Sequence, residues 1–86
     1  MNITVVGTGY VGLVTGTCLA ETGNNVLCID IDESKIEIMK SGQVPIYEPH
    51  LDLLFQRNTK AGRLNFSTQL QEGLNHGEII FLALPT

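Results

Sequence analysis

Three glycines near the N-terminus have the spacing of a phosphate-binding turn. Gly7, Gly9 and Gly12 form a Gly-x-Gly-x-x-Gly pattern directly after a short apolar run. The first glycine of this pattern permits a tight turn, the second lets a phosphate approach the backbone, and the third lets the following helix pack closely. A helix that begins here offers unpaired N–H groups and partial positive charge to an anion. The pattern therefore predicts pyrophosphate binding by the three glycines and by the backbone N–H groups of Tyr10 and Val11.

An acidic residue ends the second apolar run of the chain. Asp30 follows Val26–Ile29 and lies close to 20 residues after Gly12, the approximate separation at which dinucleotide-binding proteins carry a ribose-binding carboxylate. A carboxylate there accepts hydrogen bonds from both ribose hydroxyls and repels the 2′-phosphate of NADP. The sequence therefore predicts a dinucleotide site with NAD as the cofactor. An Asp30 that only caps the next helix is the alternative, and an FAD enzyme would more often carry Glu here.

These residues require a fold that brings the ends of neighbouring strands together. Short apolar runs alternate with segments of helical periodicity, which indicates an α/β protein with a parallel sheet. We predict a Rossmann-type sheet, the first half of that fold, with strand order 3-2-1-4 and the ligand at its carboxyl edge. The predicted strands are Asn2–Val6, Val26–Asp30, Leu64–Phe66 and Glu78–Leu84. The predicted helices begin near residues 10, 33, 49 and 69.

Apolar spacing within the helices predicts the residues that face the sheet. The first helix places four of them on one face: Val11, Val14, Cys18 and Leu19. The second and third helices have Ile36, Met39, Leu51, Leu54 and Phe55 at such positions. Asp32 is predicted to cap the second helix. Thr68 and Gln71 are predicted to form a capping box for the fourth helix, which carries Leu70 and Leu74.

Charge and composition argue against several classes of partner. The chain has 86 residues, 5 of them Lys or Arg, and a net charge of −4. Nucleic acids and anionic membranes need clustered basic residues, so neither is an expected partner. No apolar run approaches the roughly 20 residues of a membrane span, and no signal peptide precedes the first strand. The two cysteines are expected to be buried and reduced, which favours the cytoplasm.

The length of the chain allows one small domain or part of one. We interpret residues 1–86 as the N-terminal part of an NAD-binding domain, truncated after strand four, with the remaining domains of a longer protein elsewhere. An open, apolar edge on strand four invites pairing with another chain, so self-association is expected. The sequence shows no metal cluster and no pair of residues that could act as base and nucleophile.

Five segments, taken together and in this order, resemble one protein family. They are Gly7–Leu13, Asp30–Asp32 with Lys35–Ile36, Pro45–Pro49, Gly62–Thr68 and Ala83–Thr86. The chain resembles, over its whole length, the N-terminal end of the UDP-glucose 6-dehydrogenases, within the wider UDP-glucose/GDP-mannose dehydrogenase family. The segment Pro-Ile-Tyr-Glu-Pro is the most specific part of the resemblance, because many folds share glycine-rich turns.

The resemblance implies an oxidoreductase that carries out two successive NAD-dependent oxidations. These convert the C6 alcohol of UDP-glucose to a carboxylate and give UDP-glucuronate. By position, Val11, Asp30, Lys35 and Thr86 correspond to NAD contacts in the family. The catalytic residues and most of the sugar-nucleotide site of the family lie beyond residue 86, so the chain alone is expected to be inactive.

Two other functions stay open at this stage. GDP-mannose or UDP-N-acetylmannosamine dehydrogenases belong to the same family, and the residues that choose the sugar lie outside this chain. A non-catalytic NAD-binding module, such as those that regulate ion channels, would share the glycines and Asp30. We know of none with the Pro45–Pro49 loop.

Overall fold

The chain forms a four-stranded parallel sheet with helices on both faces. The computed structural model describes residues 1–43 and 49–83. The elements in chain order are β1 (Asn2–Val6), α1 (Tyr10–Glu21), β2 (Asn25–Ile29), α2 (Glu33–Lys40), α3 (Pro49–Lys60), β3 (Leu64–Ser67), α4 (Leu70–His76) and β4 (Ile79–Leu82). The sheet order is β3-β2-β1-β4, and its three strand pairs are parallel. The predicted Rossmann-type architecture and strand order are therefore confirmed.

The main core lies between the sheet and helices α1, α2 and α3. Because side chains alternate across a strand, every second residue of β1, β2 and β3 faces this core. The ring of Phe55 in α3 stacks on that of Phe66 in β3, with centroids 5.5 Å apart. The predicted burial of α2 and α3 is confirmed at four positions, while Leu54 is half-buried. Those four are Ile36, Met39, Leu51 and Phe55.

Helix α1 packs on the sheet through small residues, and the apolar face predicted for it is wrong in part. Val11 and Cys18 are exposed, whereas Val14 and Leu19 are partly buried against the core. The buried residues are Gly12, Leu13, Gly16, Thr17 and Ala20. The physical reason is close approach, since a Cβ on Gly16 would lie only 2.9 Å from the sulfur of Cys28. The expectation that both cysteines are buried therefore holds for Cys28 alone.

Helix α4 covers the opposite face of the sheet through Gly73. The hydroxyl of Thr4 donates a hydrogen bond to the Gly73 carbonyl at 2.6 Å. A Cβ on Gly73 would lie 2.8 Å from side-chain carbons of both Ile29 and Thr4. Leu70 and Leu74 of this helix are each about half exposed, so the contact with the sheet is made at the glycine.

The capping box predicted for α4 does not form. Gln69 occupies the N-cap position in an extended conformation, and its side chain makes no capping hydrogen bond. Its N–H instead donates to the hydroxyl of Ser67 at 3.0 Å. Since the helix begins one residue later than predicted, Gln71 falls at the second helical position, and a capping box needs this side chain at the third. Thr68 and Gln71 therefore each lie one position before the one that a capping box requires.

Strand β4 is the outer strand on one side of the sheet within the described residues. It pairs with β1 along its length, and the N–H of Ala83 continues the pairing to the carbonyl of Val6 at 2.8 Å. Its four side chains are all substantially exposed, from 39% for Ile80 to 71% for Leu82. The sheet therefore presents an apolar surface along this strand.

Candidate functional site

The glycine-rich turn and Asp30 meet at the carboxyl edge of the sheet. The N–H of Gly7, directly after β1, donates to the carbonyl of Ile29 at the end of β2, at 2.7 Å. The N–H of Asp30 donates to the carbonyl of Ser67 at the end of β3, at 3.2 Å. These bonds extend the parallel pairing by one residue beyond the strands. They place the glycine-rich turn beside Asp30, where open α/β sheets bind ligands.

Two glycines of the turn are required by the fold itself. Gly7 has a φ of +102°, a left-handed conformation that favours glycine. A Cβ on Gly12 would lie 2.0 Å from the carbonyl oxygen of Gly7 and 3.1 Å from the Cβ of Ala83. The start of α1 is thus packed directly against the turn that precedes it. Only a residue without a side chain fits at Gly12.

Gly9 is different, because nothing within the protein requires a glycine there. Its φ and ψ are −67° and −174°, an extended conformation open to any residue. A Cβ on Gly9 would meet nothing within 4 Å. The space above Gly9 is therefore open and reaches the backbone. Close approach of a pyrophosphate to the backbone would account for a glycine at this position.

The N-terminus of α1 opens onto the same space. Gly9 is the N-cap residue and has no side chain that could cap the helix. The first bond of the helix runs from the N–H of Leu13 to the carbonyl of Gly9 at 2.9 Å, so the N–H groups of the three preceding residues have no acceptor inside the helix. The first turn contains no acidic residue. An anion is therefore favoured here by both hydrogen bonding and the helix dipole.

The carboxylate of Asp30 is held by three hydrogen bonds. Oδ2 accepts from the N–H of Thr8 at 3.0 Å and from its hydroxyl at 2.6 Å, and Oδ1 accepts from the N–H of Asp32 at 2.9 Å. Partial burial raises the pKa of the Asp30 carboxyl, but these bonds and the nearby charge of Lys35 outweigh it, so its pKa is lowered. Asp30 is therefore a fixed negative charge at neutral pH.

Asp30 and Asp32 have separate roles in the structure. Asp32 is the N-cap of α2, and its Oδ1 accepts from the N–H of Lys35 at 3.2 Å, which confirms the predicted cap. The alternative that Asp30 itself caps this helix is wrong, because Asp30 lies two residues before the cap. Lys35 is half-buried in the first turn of α2, and its charge acts on Asp30. Thr86 lies outside the described residues.

Comparison with known proteins assigns the chain to a family. Residues 1–86 match the model of the UDP-glucose/GDP-mannose dehydrogenase family, NAD binding domain. The chain belongs to this family. This match confirms the prediction that the cofactor of this type of domain is NAD. Within the described residues, no helix is both long and apolar enough to cross a membrane.

Individual relatives support the same assignment. The chain is 57% identical over 86 residues to UDP-glucose 6-dehydrogenase YwqF of Bacillus subtilis and 48% identical to UDP-glucose 6-dehydrogenase of Rhizobium meliloti. Among solved structures, it is similar to GDP-mannose dehydrogenase from Pseudomonas aeruginosa, with a TM-score of 0.95 and 34% identity over the whole chain. A UDP-glucose dehydrogenase from Pyrobaculum islandicum gives a TM-score of 0.91 and 33% identity over 98% of the chain. The chain spans 20% of the length of each of these four proteins.

Reasoning from the sequence missed the contacts of Thr8 in this NAD-binding domain. Thr8 lies inside the glycine pattern, is 1% exposed and holds Asp30. Ile31 follows Asp30 and is 92% exposed. A hydroxyl residue between two glycines was a signal for Thr8, since a turn at a sheet edge can aim it at the neighbouring strand.

Proposed function

We propose that residues 1–86 form the N-terminal part of the NAD-binding domain of a UDP-glucose 6-dehydrogenase. The observation that carries the cofactor assignment is the Asp30 carboxylate, held ionised beside the glycine-rich turn by three hydrogen bonds. The substrate assignment is supported by the 57% and 48% identity to proteins named UDP-glucose 6-dehydrogenase. A location in the cytoplasm is part of the same proposal.

Each site residue would contact a different part of the cofactor. The N–H groups at the start of α1, those of Tyr10 and Val11 among them, would bind the pyrophosphate above Gly9. Asp30 would accept a hydrogen bond from the adenosine ribose. The exposed Ile31 offers an apolar surface next to Asp30 on which the adenine would pack. We also propose contacts by Lys35, whose charge already acts on Asp30, and by Thr86 from the family resemblance.

In this proposal the chain binds and orients the cofactor but contributes no catalytic residue. Bound NAD would accept a hydride from C6 of the sugar in each of the two oxidations. The chain's own residues would fix the pyrophosphate and the ribose, so that the nicotinamide is presented to a reaction centre formed elsewhere in the protein. The 86-residue chain alone is therefore expected to show no turnover.

The cofactor assignment is tested by removing the carboxylate. In the protein that contains this chain, Asp30→Ala should weaken NAD binding by about 1 to 3 kcal/mol, the scale of a lost hydrogen bond to a charged group. It should also narrow the preference for NAD over NADP. The matched control is Asp32→Ala, which removes a helix cap and should leave the NAD/NADP ratio unchanged. An unchanged ratio in Asp30→Ala as well would remove Asp30 from the site.

The substrate assignment is tested by steady-state turnover. The protein that contains this chain should reduce NAD with UDP-glucose, and GDP-mannose and UDP-N-acetylmannosamine should be poor substrates. GDP-mannose dehydrogenase is the second candidate, because the structure of that enzyme gives a TM-score of 0.95. Preferential turnover of GDP-mannose would establish that candidate. NAD binding without turnover of any sugar nucleotide would favour a regulatory module.

The apolar surface of β4 supports self-association as a further part of the proposal. Its exposed side chains lie on an outer strand, and a strand of this kind pairs readily with another chain. The 86-residue chain should therefore elute as a dimer or larger species in size-exclusion chromatography with light scattering. A monomer at all concentrations would contradict this part.

A further inference from the structure

Thr8 supplies two of the three hydrogen bonds that hold Asp30, and the proposed function gives this residue no role of its own. Its side chain is 1% exposed and lies within the turn, where its hydroxyl could have bonded to the local backbone, as Thr hydroxyls commonly do in turns. It reaches across to the next strand and donates to Oδ2 of Asp30 at 2.6 Å, alongside its own N–H at 3.0 Å. Both hydrogen-bond donors of one residue thus converge on one carboxylate oxygen.

The contacts of Thr8 limit how many hydrogen bonds Asp30 can still accept from a ligand. An ionised carboxylate has about four lone-pair positions, two on each oxygen. Thr8 occupies both positions on Oδ2, and the N–H of Asp32 occupies one on Oδ1. One position, on Oδ1, is left for a ligand. The prediction that Asp30 accepts from both ribose hydroxyls therefore narrows to one strong hydrogen bond.

We propose that Thr8 is a positioning residue that fixes the Asp30 carboxylate with Oδ1 toward the ribose and thereby sets the preference for NAD over NADP. The inference rests on the proposed role of Asp30 in ribose binding. A carboxylate held on both oxygens cannot rotate away from an incoming 2′-phosphate without breaking its bonds to the turn. Without the hydroxyl of Thr8, Oδ2 keeps only the bond from the backbone N–H of residue 8. The carboxylate is then held less firmly, turns away from a 2′-phosphate at a smaller energetic cost and tolerates NADP better.

The test compares two substitutions of Thr8 in the protein that contains this chain. Thr8→Val keeps the shape of the buried side chain and removes the hydroxyl, whereas Thr8→Ser keeps the hydroxyl and is the matched control. Calorimetric titrations should show NAD binding weakened by up to about tenfold in Thr8→Val, because a less firmly held carboxylate must be ordered when the ribose binds. NADP binding should change less, so that selectivity falls. Thr8→Ser should stay within about twofold of the wild type.

A second measurement reports on the carboxylate without any cofactor. A ¹³C NMR titration of the Asp30 carboxyl should give a pKa below its ordinary value in the wild type and in Thr8→Ser. Removal of the hydroxyl donor should raise this pKa in Thr8→Val. The charged groups near Asp30, namely Lys35 and the carboxylate of Asp32, are the same in all three proteins. A role confined to packing would not move this pKa.

Two results would overturn the proposal. One is an equal loss of NAD and NADP binding in Thr8→Val with an unmoved Asp30 pKa, which would assign Thr8 to packing of the turn. The other is a wild-type Asp30 carboxyl that titrates at or above its ordinary value, and this holds even if Thr8→Val does not fold. Failure of the proposed function is distinct from both, since the wild type would then bind no NAD while the pKa comparison still reports on Thr8.

Discussion

Gly9 and Gly12, at the start of α1, should differ in how strongly the same substitution affects the stability of the fold. In Gly12→Ala the new Cβ would lie 2.0 Å from the carbonyl oxygen of Gly7 and 3.0 Å from its carbonyl carbon. Both contacts are backbone atoms, so no side-chain rotation relieves them. The turn must move by roughly 1 Å or more to restore ordinary separations. In Gly9→Ala the Cβ meets nothing within 4 Å, and the backbone is already in an extended conformation.

These contacts determine the expected magnitudes. Overpacking of a tight site costs about 1 to 3 kcal/mol and more where backbone must shift, while alanine regains up to about 1 kcal/mol of helix propensity. We therefore expect Gly12→Ala to lower the free energy of unfolding by about 2 kcal/mol or more. Gly9→Ala changes only an N-cap preference and should cost less than about 1 kcal/mol.

Urea unfolding and NAD titration together separate the two glycines. Gly12→Ala should be destabilised, and its NAD affinity should fall because the turn is displaced. Gly9→Ala should remain stable and still lose NAD affinity by about tenfold or more, since its methyl group occupies the space proposed for the pyrophosphate. Equal stability of Gly12→Ala and the wild type would refute the steric argument. Full NAD affinity in Gly9→Ala would refute the placement of the pyrophosphate.

Three further predictions concern buried and charged groups. Within the described residues the buried Thr17 hydroxyl has no hydrogen-bond partner, so Thr17→Val should stabilise the protein by about 1 kcal/mol in urea unfolding. The matched substitution Thr4→Val breaks a buried hydrogen bond and should destabilise the protein by about 1 to 3 kcal/mol. Burial raises the pKa of Cys28 to about 12, so a thiol reagent should modify the exposed Cys18 alone in the native protein. Because the pKa of Asp30 is lowered from 3.8 in the folded state, its stabilising contribution is complete above that value and is lost below it. Urea unfolding at about pH 5 and pH 3 should show a larger loss in the wild type than in Asp30→Asn.

The fold and the core of the site could be predicted because local and long-range signals agree in this part of the chain. The glycine pattern, the strand before it and the acid after the next strand each require the same parallel arrangement. Gly7 and Gly12 then have the roles predicted for them, one through its positive φ and the other through close packing. The separation between Gly12 and Asp30 places Asp30 beside the turn, because a crossover helix of this length returns the chain to the neighbouring strand.

The errors arose where packing distance, rather than periodicity, decides burial. Helical periodicity favoured Val11 and Cys18 as core residues, but α1 lies so close to the sheet that Gly12 and Gly16 take the buried positions. In α4 a glycine likewise makes the contact with the sheet, since Gly73 packs on it while Leu70 and Leu74 are about half exposed. The packing distance between a helix and a sheet depends on the side chains of both surfaces. The apolar periodicity of one helix therefore does not predict this distance.

A hydroxyl between two glycines was a signal for Thr8, but the partner of that hydroxyl could not be predicted from the sequence for a related reason. Its hydrogen bonds to Asp30 join residues 22 positions apart in the chain. They exist only because the strand pairing brings the turn and the end of β2 together. A side chain that acts through another residue leaves no spacing signal of its own.

The central claim is that the glycine-rich turn and Asp30 together bind NAD, and a structure determined with NAD bound tests it most directly. We predict the pyrophosphate within hydrogen-bond distance of the N–H groups at the start of α1, above Gly9. We also predict one hydroxyl of the adenosine ribose on Oδ1 of Asp30, with the bonds from Thr8 intact. A pyrophosphate bound elsewhere on the protein, or a ribose that does not contact Asp30, would contradict the assignment.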